Sequence, residues 1–279
     1  MRQSQSQFKR EPIEVINSNF PRGDFHCAIF DFDGTLSLLR RNWQDVMIPM
    51  MVDALVETGT TESRQQLHEL VREFVTRLTG RQTIYQMIQL AEEVTRRGVQ
   101  PKDPLDYKRQ YHDRLWAQVE SRVESVRSEE ANAESMMVPN SNAFLSALLD
   151  QGVNLYLASG TDLTYVRDEV NVLGLNRYFE SRVYGAIDDY KNFSKAMVIE
   201  KIVADTGVAG SQMIGIGDGF VEIEEMKQVG GLTIGVASDE VNRGAIDRWK
   251  RSRLIEAGAD LIIADYQPLD ELLNVIGLA

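Results

Sequence analysis

Asp31 and Asp33 lie two positions apart in Asp31-Phe32-Asp33-Gly34-Thr35, directly after the apolar stretch 25–30. At the end of a buried strand, such carboxylates can face one opening if the chain leaves extended geometry. Gly34 supplies that freedom, and Thr35 can bond the loop backbone. Two acids in one crevice repel and raise each other's pKa, so the pair calls for a cation. Oxygen donors select a hard divalent ion, and Mg²⁺ is the natural choice. Taken alone, Asp-x-Asp-Gly is equally well a turn.

Three further clusters could join this chemistry. Ser159-Gly160-Thr161-Asp162 follows the apolar stretch 153–158 and precedes an expected helix. There a hydroxyl and free backbone N–H groups make either an anion site or an ordinary helix cap. Lys195 stands at the start of a helix beginning near Ser194, where the helix dipole disfavours a cation and a compensating anion is expected. A solvated surface lysine is the alternative, and Lys191 competes for the same role. Gly217-Asp218-Gly219, followed by Glu222, puts a metal-ligating carboxylate at a strand end and a second acid about one helical turn later. The glycine spacing is not that of a dinucleotide fingerprint, and no Gly-x4-Gly-Lys-Ser/Thr loop is present.

The elements that must position these groups divide the chain by texture. Residues 1–24 read as a weakly structured lead-in ending in the turn-prone Pro21-Arg22-Gly23-Asp24. Residues 39–138 form a helical insertion. Leu67, Leu70, Val71, Phe74, Val75 and Leu78 recur at helical spacing, as do Ile84, Met87, Ile88 and Ala91, then Tyr111, Leu115, Val119 and Val123. Gly59, Gly80, Gly98 and Pro101 separate the helices. Residues 25–38 and 139–279 form the core, where strands near 153–158, 182–184, 213–216, 232–236 and 261–263 alternate with helices. That alternation predicts an α/β fold: a Rossmann-like, mainly parallel sheet with helices on both faces, plus the inserted α-helical domain. Ligands bind beyond the carboxyl ends of such strands, where every cluster above lies.

Composition narrows the function classes. With 279 residues, 43% hydrophobic, the chain can bury a sizeable core. Its net charge of −12 argues against nucleic acid, whose affinity comes from Lys and Arg on phosphates. The single cysteine, Cys27, excludes an internal disulfide and a Cys-cluster metal site. His26, His68 and His112 show no metal-ligand spacing. Residues 1–7 lack the apolar centre of a signal peptide, and no apolar run approaches the roughly 20 residues of a membrane span. The expectation is a soluble cytoplasmic protein with no membrane partner; its oligomeric state is not readable.

Taken in order, Asp31-x-Asp33-Gly34-Thr35, Ser159 after a strand, the helix-starting Lys195 and Gly217-Asp218-Gly219-x-x-Glu222 resemble the four motifs of the haloacid dehalogenase superfamily. Their order, spacing and strand-end placement agree over residues 25–279, and the helical insertion resembles the cap of its phosphatase and mutase branch. The resemblance implies that Asp31 is the nucleophile forming an aspartyl-phosphate, and that Asp33 protonates the leaving oxygen and then activates water. It implies Mg²⁺ held by Asp31, the Asp33 carbonyl and Asp218, with Glu222 as outer support. Ser159, the Gly160 N–H and Lys195 would bind the phosphoryl group. Dehalogenases of the superfamily lack an acid at the position of Asp33, so its presence implies phosphoryl chemistry.

The cap is expected to supply specificity. Arg40 and Arg41, just beyond the first motif, could bind a second anionic group. The segment Gly80-Arg81-Gln82-Thr83, with Gln86 one turn on, resembles the specificity loops of helical caps. Solvated helix faces are the plain alternative for these residues, and Met47, Met50 and Met51 read as cap core. The leading function is an Mg²⁺-dependent phosphatase acting on a small phosphorylated metabolite such as a sugar phosphate. The rivals are a phosphomutase of the beta-phosphoglucomutase type and a catalytically silent binding module that keeps the fold. The silent module would be expected to lose one of the acids or Lys195, and none is missing.

Overall fold

The computed structural model describes residues 12–279. A two-residue strand, β1 (Glu14–Val15), precedes the buried strand β2 (Cys27–Phe30). Four helices follow: α1 (Gln44–Val56), α2 (Arg64–Arg77), α3 (Thr83–Arg96) and α4 (Pro104–Arg127). The chain then alternates α5 (Ser141–Asp150), β3 (Asn154–Asp162), α6 (Leu163–Val172), the single turn α7 (Asn176–Phe179), β4 (Val183–Ala186) and α8 (Lys195–Thr206). It closes with β5 (Met213–Gly217), α9 (Phe220–Gln228), β6 (Leu232–Val236), α10 (Arg248–Glu256), β7 (Leu261–Ile263) and α11 (Leu269–Ile276).

The seven strands form one sheet in the order β1-β7-β6-β5-β2-β3-β4, parallel except where β1 pairs antiparallel with β7. The helix-covered parallel sheet with its inserted helical cap is the expected fold class. Strands β2, β5, β6 and β7 are buried along their whole length, which is why they read as continuous apolar runs rather than alternating ones. With β2 between β3 and β5, Asp31 emerges at the centre of the carboxyl edge, flanked by the ends of both neighbours.

The cap helices α1 to α4 pack on one another through residues at helical spacing, including Leu67, Val71, Phe74, Val75, Val119 and Val123, each nearly inaccessible to solvent. Met47, Met50 and Met51 are buried there as cap core.

Two expectations need correction. Residues 12–24 are not weakly structured: β1 joins the sheet edge, and Ile13 and Phe20 are buried in the core. A two-residue strand is too short to show any period, so it left no pattern to read. The reading of residues 1–11 as lead-in lies outside the described residues. Strand β3 also runs on through Asp162 with a register shift after Ala158, so Ser159 to Asp162 form the irregular end of the strand rather than a loop beyond it. Among the described residues, no helix is long and apolar enough to cross a membrane.

Candidate active site

Beyond Phe30 the chain breaks from β2 into a tight turn. Leu36 N and Ser37 N both donate to the Phe32 carbonyl, and Gly34 adopts φ +75°. Only glycine fits at position 34. A Cβ there would lie 2.1 Å from Asp218 Oδ2, so the backbone of the first motif is pressed against the carboxylate of the last. Thr35, fully buried, accepts a hydrogen bond from Asp218 N over 3.0 Å and fixes the same two loops together. Ser238 Oγ donates to the Gly34 carbonyl, and the Tyr266 hydroxyl donates to that of Thr35.

These constraints gather the expected groups. Asp31, Asp33, Ser159, Gly160, Lys195 and Asp218 line one cavity of about 100 Å³, together with Arg40, Gln86 and Tyr111 from the cap side. Lys195 heads helix α8, whose N-cap Ser194 accepts from Met197 N. The anions that offset its unfavourable place in the helix dipole are two carboxylates: Asp31 Oδ2 at 3.0 Å and Glu222 Oε2 at 2.7 Å. Lys191, the competing lysine, is exposed and lies outside this cavity. Glu222 also accepts from Gly219 N at 2.7 Å, so it fastens both the lysine and the turn that carries Asp218. Ser159 is buried, and its Oγ accepts from Thr161 N, leaving its own proton free to donate.

Electrostatics separate the carboxylates. Burial pushes Asp31 well up from the usual carboxylate range, with Lys195 pulling the other way. Burial also opposes the charge on Lys195, but Asp31 and Glu222 outweigh it and raise the ammonium above its ordinary value. For Asp33, burial is the leading cause of a rise to about 7, against the pull of Arg40 and of a hydrogen bond from Thr161. Thr161 Oγ1 donates to Asp33 Oδ2 over 2.8 Å, while Asp33 Oδ1 is buried without a hydrogen-bond partner. Burial raises Asp218 too, opposed by Lys250.

The donor set fits a hard divalent cation. Carboxylate oxygens of Asp31, Asp218 and Glu222 lie within 4.8 Å of one another, all oxygen and all drawn out of water. The raised values of Asp31 and Asp218 reflect a desolvation cost that a bound cation would relieve.

The cap residues divide. Arg40 is buried and lines the cavity, but its guanidinium is committed to Glu169 of α6 through bonds of 2.6 and 2.9 Å, with Asp33 Oδ1 at 3.9 Å. Gln86 lines the cavity and donates to the Val75 carbonyl. Gln82 faces the core instead: its Nε2 donates to the carbonyls of Tyr190 and Phe193, in the segment leading into Lys195. Arg41 does not line the cavity; its carbonyl accepts from Arg122. The cap loop around Gly80 seats directly on the core, where a Cβ on Gly219 would lie 3.0 Å from Gly80 Cα.

Sequence reasoning named Thr161 only as a member of its cluster, with no role of its own, and missed Glu169, Glu240 and Lys250. Lys250 Nζ lies 2.8 Å from Asp218 Oδ2 and 2.7 Å from Glu240 Oε1. Like Lys195, Lys250 sits in the first turn of its helix, α10, behind the N-cap Asp247, but that helix has no apolar period by which the sequence could show it.

A family profile described as haloacid dehalogenase-like hydrolase matches residues 25–230. No curated protein matches the chain significantly. Among solved structures, a phosphonoacetaldehyde hydrolase-like protein from Oleispira antarctica is similar at a TM-score of 0.59 and 15% identity, covering 92% of this chain and 94% of its own. A family IA, variant 3 hydrolase of the same superfamily from Entamoeba histolytica reaches 0.58 at 16% identity, with 90% and 99% covered. A beta-phosphoglucomutase from Clostridium difficile reaches 0.57 at 11% identity, with 90% and 97% covered. At these identities the likeness is one of fold.

Proposed function

The chain belongs to the haloacid dehalogenase-like hydrolases, and from that footing we propose that it is an Mg²⁺-dependent phosphatase hydrolysing a small phosphorylated metabolite through a phosphoryl group carried on Asp31. The observation that carries the reading is the division between two neighbouring carboxylates. Asp31 is in close ion contact with Lys195, whereas Asp33 meets Arg40 only at 3.9 Å, has one buried oxygen without a hydrogen-bond partner, and has a pKa lifted to about 7. The first is fitted to attack, and the second to give and take a proton near neutral pH.

The residues divide the work as follows. The Ser159 hydroxyl, the Gly160 N–H and the Lys195 ammonium bind the phosphoryl oxygens and stabilise the charge spread over them in the transition state. Asp31 attacks phosphorus in line, forming a P–O bond as the bond to the leaving oxygen breaks. Asp33 hands its proton to that oxygen, then accepts a proton from the water that attacks phosphorus and frees Asp31. Mg²⁺ held by Asp31, the Asp33 carbonyl and Asp218 would neutralise the repulsion between a carboxylate and a phosphate dianion. Glu222 keeps Lys195 aimed, and the seated cap excludes bulk water.

The small cavity beneath the cap supports a compact alcohol portion, and a small sugar phosphate is one such ester. Two of the similar structures are named for phosphonoacetaldehyde and for beta-phosphoglucomutase, which supports a small phosphorus-bearing substrate. The test is a screen of phosphorylated metabolites for inorganic phosphate release, with and without Mg²⁺. Metal-dependent release from a small ester is the expected result. Substrate isomerisation without phosphate release would replace the phosphatase with a mutase.

A further inference from the structure

Helix α10 crosses over from β6 to its parallel neighbour β7, so its first turn lies at the carboxyl edge of the sheet. The helix is strongly polar in sequence, and Leu254 is its one fully buried residue. It delivers Lys250 into the acid cluster, where the side chains of Lys250, Asp218 and Glu240 retain only 11%, 14% and 16% of their exposure. Placing lysine in the first turn of a helix is unfavourable, and burying its ammonium is more so, unless carboxylates hold it there. Glu240, in the loop after β6, has no other ion-pair partner among the described residues. That loop is itself tied to the first motif by Ser238.

Lys250 and Lys195 are thus set alike. Each stands in the first turn of a helix and bridges two carboxylates, Asp31 and Glu222 for one, Asp218 and Glu240 for the other. These four carboxylates and two ammoniums leave two negative charges uncompensated, the charge that one divalent cation carries. We propose that Lys250 and Glu240 form a charge-setting pair that tunes cation binding at Asp218. Lys250 competes with the cation for the carboxylate, and Glu240 restrains Lys250 by sharing its charge. The inference rests on the reading that Asp31 and Asp218 hold a divalent cation. Buried charges at such distances are weakly screened by salt, so the effect persists at physiological ionic strength. The pair acts through Asp218 and touches neither substrate nor reacting atoms; these are positioning residues.

Two substitutions separate tuning from mere support. Lys250→Met removes the competing charge and keeps the stem's packing; Glu240→Gln removes the restraint and leaves Lys250 wholly on Asp218. The full-length protein, stripped of divalent ions by chelator and dialysed, is titrated with Mn²⁺ and free ion is read by electron paramagnetic resonance. Tuning predicts opposite shifts: about tenfold tighter binding for Lys250→Met and about tenfold weaker for Glu240→Gln, the scale on which outer partners act at metal sites. If the pair only braces Asp218, both variants bind more weakly, and that result, or no change in either, overturns the proposal. Should Lys250→Met fail to fold, unchanged or tighter binding by Glu240→Gln still overturns it. Wild-type protein that binds no Mn²⁺ removes the metal reading itself, an outcome distinct from two variants shifting together.

Discussion

Thr161 Oγ1 donates a 2.8 Å hydrogen bond to Asp33 Oδ2, while the other oxygen of that carboxylate is buried 3.9 Å from Arg40 Nε without a hydrogen-bond partner. The Thr161 bond joins the irregular end of β3 to the first motif and orients the group assigned to proton transfer. Thr161→Val removes the bond at nearly constant volume. Turnover of a phosphate ester should fall on the order of tenfold, less than the roughly 10²–10⁴ that acid–base catalysis contributes as a whole, because the carboxyl itself remains. Thr161→Ser should recover most of it, and steady-state kinetics on the two variants decides.

The raised pKa of Asp33 has a consequence for stability. A carboxyl whose folded value is lifted to about 7 destabilises the fold when ionised, fully so above that pH. The cost shrinks as pH falls from about 7 toward the ordinary carboxylate range, where folded and unfolded chains are both protonated. In chelator, Asp33→Asn should therefore melt well above wild type at pH 8, by about 2–4 °C for each kcal/mol of that cost. The gain should vanish near pH 4. Thermal unfolding at several pH values checks both ends.

Gly34 admits no side chain. Alanine there would take up a left-handed backbone at about 1–2 kcal/mol and drive a Cβ into Asp218 Oδ2. Gly34→Ala should lower the melting temperature by about 4 °C and abolish Mn²⁺ binding. Calorimetry and Mn²⁺ titration read the two effects separately.

Gln82 holds the cap loop to the segment before Lys195 through two carbonyls. Gln82→Leu leaves both carbonyls without that donor, and kcat/KM should drop about tenfold if cap seating completes the site. An unchanged value in kinetics would show that this contact does not matter for turnover.

How far the sequence was legible follows from what each residue depends on. Asp31, Ser159, Lys195 and Asp218 could be found because each follows a buried apolar run within or at the end of a strand, or heads a helix. Helix α10 announces nothing: Arg248-Trp249-Lys250-Arg251-Ser252-Arg253 has no apolar period, so Lys250 could not be placed. Arg40 was visible as a cation near the first motif, but its commitment to Glu169 is a contact 129 residues distant in sequence. Gln82 was noticed for specificity, whereas the structure turns its amide to the core. Local pattern reveals elements and their ends. Which side chains spend their hydrogen bonds on one another depends on tertiary packing.

The central claim is that the phosphoryl group passes through Asp31, and acid-quenched turnover with substrate followed by peptide mass spectrometry tests it most directly. The account predicts that the peptide containing Asp31 gains the mass of one phosphoryl group, that the adduct maps to Asp31, and that Asp31→Asn neither forms it nor turns over while keeping the wild-type fold. Phosphate release by Asp31→Asn at the wild-type rate would contradict the account.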